Sequence, residues 1–238
     1  MCARLRLNEV LSILQSSMKK LIILGIRGIP ARHGGFETFA EKLSLYLVKQ
    51  GWQVTVYCQE SGTGSISTSE WNGIQRIHIP IANAGVAGTI FFDWKATVHA
   101  LGKSGLFLTL GYNTAVFNLL QRIKGQTNVI NMDGIEWKRE KWGVFAKTWF
   151  WLNERAGCWF GNHLVADHPM IKDHLATRVS RSKITMIPYG GDCVANSTAA
   201  TLDRYKLEPQ GFSVIIARPE PENSFLQIVT AFSSKPRD

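Results

Sequence analysis

The sequence predicts an α/β fold, a doubly wound parallel sheet with helices on both faces. Three observations carry that prediction. Short apolar runs ending in Gly or Pro alternate with segments of helical spacing. The first pair, "KLIILGI" and "GGFETFAEKLSLYLVKQG", leads directly into a second β-rich run, "WQVTVYCQ", and so makes a βαβ unit. The chain has 238 residues and is 45% hydrophobic, enough to bury a sizeable core.

Taken in order, residues 20–26 are a short apolar run read as a buried parallel strand. Phe36, Phe39, Ala40, Leu43 and Leu47 then share one helical face, with Glu37, Glu41 and Lys42 off it, and Gly51 stops the helix. Strands follow at 52–59 and 73–81, a helix at 88–102, a strand at 106–112 and a helix at 113–125. Residues 127–137 read as a strand running into a loop, and 145–161 as a helix. A strand from 163 that ends before Pro169, a helix at 170–179 and a strand leading into Gly190-Gly191 complete the first domain, set at 18–195. Residues 196–211 are polar and turn-rich, an interdomain linker, and 212–238 open a second domain with a strand, a charged loop and a helix. One βα pair cannot bury its own apolar face. The first 17 residues lack an apolar signal region and read as an N-terminal extension, or as upstream sequence admitted by a misplaced start.

Composition narrows the function. Net charge is +9, which favours an anionic partner: a phosphorylated substrate, an acidic membrane surface or nucleic acid. Nothing matches a nucleic-acid-binding module, so no nucleic acid is expected. The four cysteines are scattered, with no Cys-x-x-Cys and no neighbouring His, which argues for a reducing compartment and against a zinc site. No apolar run reaches 18 residues, so no spanning helix is expected.

The loop after the first strand carries Arg27, Arg32 and His33 and places Gly34 and Gly35 at the start of the helix. A helix N-terminus offers free N–H groups and partial positive charge, and glycines there let an anion approach the backbone. The spacing is neither Gly-x-Gly-x-x-Gly nor a P-loop; a plain strand–helix turn is the alternative. Asp133 and Glu136 lie just past a strand end, where carboxylates could act as a base or orient hydroxyls; a turn at Asp133-Gly134 with Glu136 paired to a neighbouring cation is the alternative. Tyr112, Asn113, Asp167 and His168 also sit at strand ends and suggest a shared cleft. Residues 137–160 mix aromatics with a net charge of +3. Trp142, Phe145 and Trp149 follow helical spacing, as in a helix lying among anionic headgroups; a core helix with a solvated basic edge is the alternative.

Together, "GIRGIPARHGGFETFAEKL", "LTLGYNTAVF", "NMDGIEWKREKWG", "NERA", "HLVADHP" and "IPYGGD" resemble the bacterial rhamnosyltransferase-like glycosyltransferases. The resemblance covers about residues 18 to 236. It implies the GT-B fold of the retaining group: two Rossmann-like domains, the N-terminal one binding the acceptor and the C-terminal one most of the donor. It implies transfer of rhamnose or a similar sugar from a nucleoside-diphosphate donor (dTDP-rhamnose is one candidate) to a lipid-linked saccharide, in cell-surface polysaccharide synthesis. It also implies no cofactor, no metal, and a cytoplasmic enzyme in peripheral contact with the inner face of the plasma membrane.

Residue by residue, Gly34 and Gly35 match the glycine pair on the donor diphosphate, and Arg218 matches a diphosphate-binding Arg of the second domain. Asp133 stands where many related enzymes have a His near the reacting sugar. Where relatives place a Lys soon after that Arg, this chain has Glu222, Asn223 and Ser224. The family's Glu-x7-Glu pair has no counterpart before Asp238, so the expectation is a truncated chain without robust transferase activity alone. A non-catalytic module that binds the acceptor or a membrane is the alternative.

Overall fold

The computed structural model describes residues 19–32, 34–82, 85–191, 200–217, 219 and 223–234. Among them eight strands form one sheet: β1 (Lys20–Leu24), β2 (Gln53–Ser61), β3 (Ser67–Trp71), β4 (Ile74–Ile81), β5 (Leu106–Leu110), β6 (Asn128–Asn131), β7 (His163–Ala166) and β8 (Ile184–Met186). The connecting helices are α1 (Gly34–Lys49), α2 (Val86–Ala100), α3 (Asn118–Ile123), α4 (Val144–Phe160) and α5 (Pro169–Leu175).

The spatial order is β3-β4-β2-β1-β5-β6-β7-β8. All pairings are parallel except β3 with β4. The parallel sheet that the sequence predicts is thus present, with β3 added as an antiparallel edge strand that the sequence reading lacks. The extra strand arises from Asn72 and Gly73, whose φ angles of 49° and 77° reverse the chain between Trp71 and Ile74. A two-residue turn with both residues left-handed is the connection that matches strand twist. The resulting hairpin covers the free edge of β4.

Strand order runs outward from β1 in both directions, so the order reverses between β1 and β5. Ligands of open α/β sheets bind at such a switch point, beyond the carboxyl ends of the strands. β1 is buried on both faces, as a central parallel strand must be. Leu21 and Ile23 face one way and pack in a cluster with Phe36, Phe39, Leu43 and Leu47 of α1. Ile22 and Leu24 face the other way, with Phe92, Ala96 and Ala100 of α2. A third cluster joins Ile130, Met132 and Leu164 to Ala156 and Cys158 of α4. Helix α1 ends as predicted: the Gly51 N–H donates to Val48 O at 2.9 Å and Trp52 N–H to Leu47 O at 2.9 Å, a Schellman closure.

Two readings of the C-terminal stretch change. Residues 212–217, predicted as a strand, form none. A strand needs a neighbour to satisfy its N–H and C=O groups, and no described strand pairs with it. A helix, α6 (Ala200–Tyr205), forms within the predicted linker, and α7 (Phe225–Ser233) supplies the predicted final helix.

Candidate functional site

The carboxyl ends of the strands form a rim, and the loop leaving β1 divides it. Gly25 starts that loop with φ +83°, and a Cβ there would lie 2.4 Å from Leu110 O of the adjacent strand. Only glycine lets the chain turn off the sheet at this point. Three neighbours then pin the loop backbone. The Ala31 N–H donates to Glu41 Oε2 of α1 at 2.6 Å. Arg76 Nη1 of β4 donates to Ile29 O at 3.3 Å. The Gln59 N–H of β2 donates to Arg27 O at 2.8 Å.

The loop delivers the N-terminus of α1 to the switch point. The helix begins at Gly34, two residues earlier than the apolar pattern predicts, so both glycines belong to its first turn. A Cβ on Gly35 would meet nothing within 4 Å, so this turn faces open space. Glu37 folds back across it: a Cβ on Gly34 would lie 2.8 Å from Glu37 Oε2. An acidic side chain thus already occupies the electropositive end of the helix.

On the β2–β4 side of the loop lies a cavity of about 870 Å³. Arg27, Arg32, Arg76, His78, Gln59 and Glu60 are among its walls. His78 is held from both sides, with Nδ1 2.5 Å from Glu60 Oε1 and Nε2 2.6 Å from Ser69 Oγ on β3. Arg76 and His78 escape a reading based on apolar runs. Their signal is the period of two in "IQRIHIPI", whose polar positions point away from the core.

On the other side of the loop the rim is acidic. Asp133 follows β6 and Asp167 follows β7. Burial pushes the Asp133 carboxyl above its ordinary range, the Glu136 and Asp167 charges push the same way, and a hydrogen bond from the Gly134 backbone opposes them. Such a carboxyl is suited to proton transfer or to orienting a hydroxyl. Tyr112, almost wholly buried, ties the same turn: its hydroxyl donates to Gly134 O at 3.0 Å and accepts from the Glu136 N–H at 2.8 Å. Glu136 itself is occupied, accepting from Arg139 Nη1 at 2.9 Å and from Trp142 Nε1 at 3.0 Å. Tyr189, which the sequence reading did not single out, closes this side. Its ring meets Phe36 and Phe39 of α1 edge-on, and its hydroxyl lies 3.4 Å from Asn131 Nδ2.

The predicted site residues therefore do not share one cleft. Arg27 and Arg32 line the cationic cavity, and Asp133, Asp167 and Tyr112 sit across the loop. His168 caps α5, its Nδ1 accepting from the Met170 N–H at 3.2 Å. Asn113 contributes its carbonyl, which accepts from Trp149 Nε1 at 2.8 Å. His33 and Arg218 lie outside the described residues. On α4, Phe145 is 93% exposed, whereas Trp149 and, just before the helix, Trp142 are half-buried with their indole N–H groups bonded to protein. Val144, Leu152 and Trp159 join Phe145 as exposed apolar residues of this helix.

Two buried groups support the rim from behind. Glu154 of α4 accepts from Trp137 Nε1 at 2.8 Å, lies 3.0 Å from His174 Nε2, and pairs with Arg178 Nε at 2.8 Å. Asp93 of α2 accepts from Thr114 Oγ1 at 2.8 Å beside a small void that also touches Gly25. Burial raises the Asp93 carboxyl to about 7, against the opposing pull of the Thr114 bond. Among the described residues no three His, Cys, Asp or Glu side chains are grouped to hold a metal, and no helix is long and apolar enough to cross a membrane.

The strand order, the switch point and the helix N-terminus placed there define a Rossmann-like α/β domain. The chain belongs to the family described as a domain of unknown function, DUF1972, which matches residues 18–192. No curated protein matches it. Among solved structures, Anabaena Alr3699/HepE in complex with UDP and glucose is similar, with a TM-score of 0.59 and 12% identity over 92% of this chain and 59% of that one. This chain thus spans less than two thirds of that protein. An E. coli structure described as trehalose-6-phosphate bound with UDP-2-fluoro glucose overlaps at a TM-score of 0.47 and 9% identity, over 79% of this chain and 54% of that one.

Proposed function

We propose that this chain is the acceptor-side domain of a glycosyltransferase that takes its sugar from a nucleoside-diphosphate donor. The observation that carries the reading is the α1 N-terminus at the switch point, where Gly35 borders open space beside the Glu37 carboxylate that lies across Gly34. That geometry suits a diphosphate. The shared fold with HepE, a protein solved with UDP and glucose, supports the same reading.

In this reading Gly34 and Gly35 receive the donor diphosphate, with Arg218 as a further contact. Asp133 stands nearest the reacting sugar. Glu136, already engaged by Arg139 and Trp142, acts by positioning the turn that carries Asp133. The finer assignment is a retaining, rhamnosyltransferase-like enzyme acting on a lipid-linked saccharide at the cytoplasmic face of the membrane. The exposed apolar residues of α4 beside Lys141 and Lys147 support peripheral contact with that surface.

Titration of the chain with UDP and dTDP tests the reading. Binding of either, weakened about tenfold by Gly35→Val, is expected, since the new side chain enters space a phosphate would use. Gly35→Val should leave the thermal midpoint nearly unchanged, because nothing lies within 4 Å of its Cβ. Absence of binding to both nucleotides, or equal binding by the variant, would overturn the diphosphate assignment.

A further inference from the structure

The cavity on the β2–β4 side of the loop holds more positive charge than the fold uses. Arg76 spends one N–H on Ile29 O, while its Nε is buried without a hydrogen-bond partner among the described residues. Gln59 Oε1, in the same wall, is also buried and unpartnered. Arg27 and Arg32 stand exposed at the mouth, and neither side chain has a hydrogen bond or ion pair among the described residues. Two carboxylates, Glu37 and Glu60, share this lining with the three arginines. Glu60 faces His78 at 2.5 Å, and Glu37 lies across Gly34.

Unpaired donors and acceptors in a concave wall are costly unless a ligand completes them. Three guanidinium groups favour an anion with several oxygens, because the planar fork matches carboxylate and phosphate geometry. Ser61, Thr89 and Gln59 add groups that bond hydroxyls. The volume of about 870 Å³ lies within the range of small-molecule sites and has room for more than one sugar ring.

We propose that this cavity binds the acceptor through an acidic group, as a saccharide bearing a carboxylate or a phosphate. Arg76 reads the acid from the wall, and Arg27 and Arg32 close on it from the mouth. Arg76 is thus a specificity-determining residue. The proposal rests on the transferase reading only in naming the ligand an acceptor; the acidic saccharide follows from the cavity itself.

NMR titration of the full chain with glucuronate, glucose 1-phosphate, glucose and inorganic phosphate tests it. At least one acidic sugar should bind about tenfold more tightly than glucose. Arg76→Met should abolish that preference and Arg32→Ala reduce it. Arg32 is exposed and unbonded, so its variant reports even if loss of the Arg76–Ile29 contact disturbs the loop. Preference for glucuronate alone assigns a carboxylate, and preference for glucose 1-phosphate alone a phosphate; either supports the site. Equal binding of glucose and both acids, no binding of either acid, or a preference that survives both substitutions overturns it. So does inorganic phosphate binding as tightly as the acidic sugars, since the sugar would then go unread. UDP titrated in the same samples separates the two readings. UDP binding without acidic-sugar binding defeats this inference alone, and the reverse defeats the nucleotide reading while leaving the acidic-saccharide site.

Discussion

The buried hydroxyl of Tyr112 accepts the backbone N–H of Glu136 at 2.8 Å, joining the end of β5 to the turn after β6. The same hydroxyl donates to Gly134 O, so one oxygen holds both ends of the turn that carries Asp133. Burial raises its pKa strongly, so it stays protonated and able to donate across the ordinary pH range. Tyr112→Phe removes both bonds, leaving the Glu136 N–H with its 3.0 Å bond to Gly134 O. The expected loss is about 1–3 kcal/mol in urea unfolding, with faster amide exchange at 134–136. An unchanged unfolding midpoint would show that the turn is held by other contacts.

Asp93 makes stability fall as pH rises. Its folded pKa of about 7 lies above the ordinary 3.8. Below about pH 4 the carboxyl is protonated folded or unfolded and costs nothing. Between about pH 4 and 7 the unfolded chain ionises while the folded one resists, and stability drops by up to a few kcal/mol. Above pH 7 the penalty is constant. Asp93→Asn retains an acceptor for Thr114 Oγ1 and removes the charge. Its stability relative to the native chain should increase from pH 4 to pH 7 and then level off. A difference that does not vary with pH would refute the burial argument.

The exposed face of α4 predicts binding to anionic vesicles. Phe145 and Leu152 lie two turns apart on one side of the helix, and Phe145 is 93% exposed. Phe145→Ser with Leu152→Ser should reduce co-sedimentation with phosphatidylserine vesicles several-fold while leaving the fold intact, because neither side chain is buried. Trp142 and Trp149 are poorer probes, since their indole N–H groups hold Glu136 and Asn113. Co-sedimentation unaffected by the double substitution would remove α4 from the membrane surface.

The parts of the fold legible in the sequence are those where local pattern and burial agree. The run at β1 is apolar because it is covered on both faces, and Gly51 marks the end of α1 because the Schellman closure needs it. β3 was hidden, since "STSEW" is polar and lies at an edge; the signal available was Asn72-Gly73. The strand expected at 212–217 has the right composition but no partner, and composition alone does not supply one. At the site, the glycines and Asp133 were readable from their place after strands. The division of the rim was not, because it depends on contacts between residues distant in sequence, such as Arg76 with Ile29 and Tyr189 with Phe36. Asp93 looked like any helical position until Thr114 was brought against it.

The reversal at Asn72 and Gly73 acts as a gauge for recognition at the opposite end of β4. It sets Trp71 opposite Ile74, and that pairing fixes Ser69 opposite Arg76 and Ser67 opposite His78. Side chains alternate along a strand, so adding or removing one residue at this turn would offer β4 the wrong face of β3 and withdraw Ser69 from His78. The ligand preference of the arginine-lined chamber can therefore drift through changes in turn length alone, at positions that never meet the ligand.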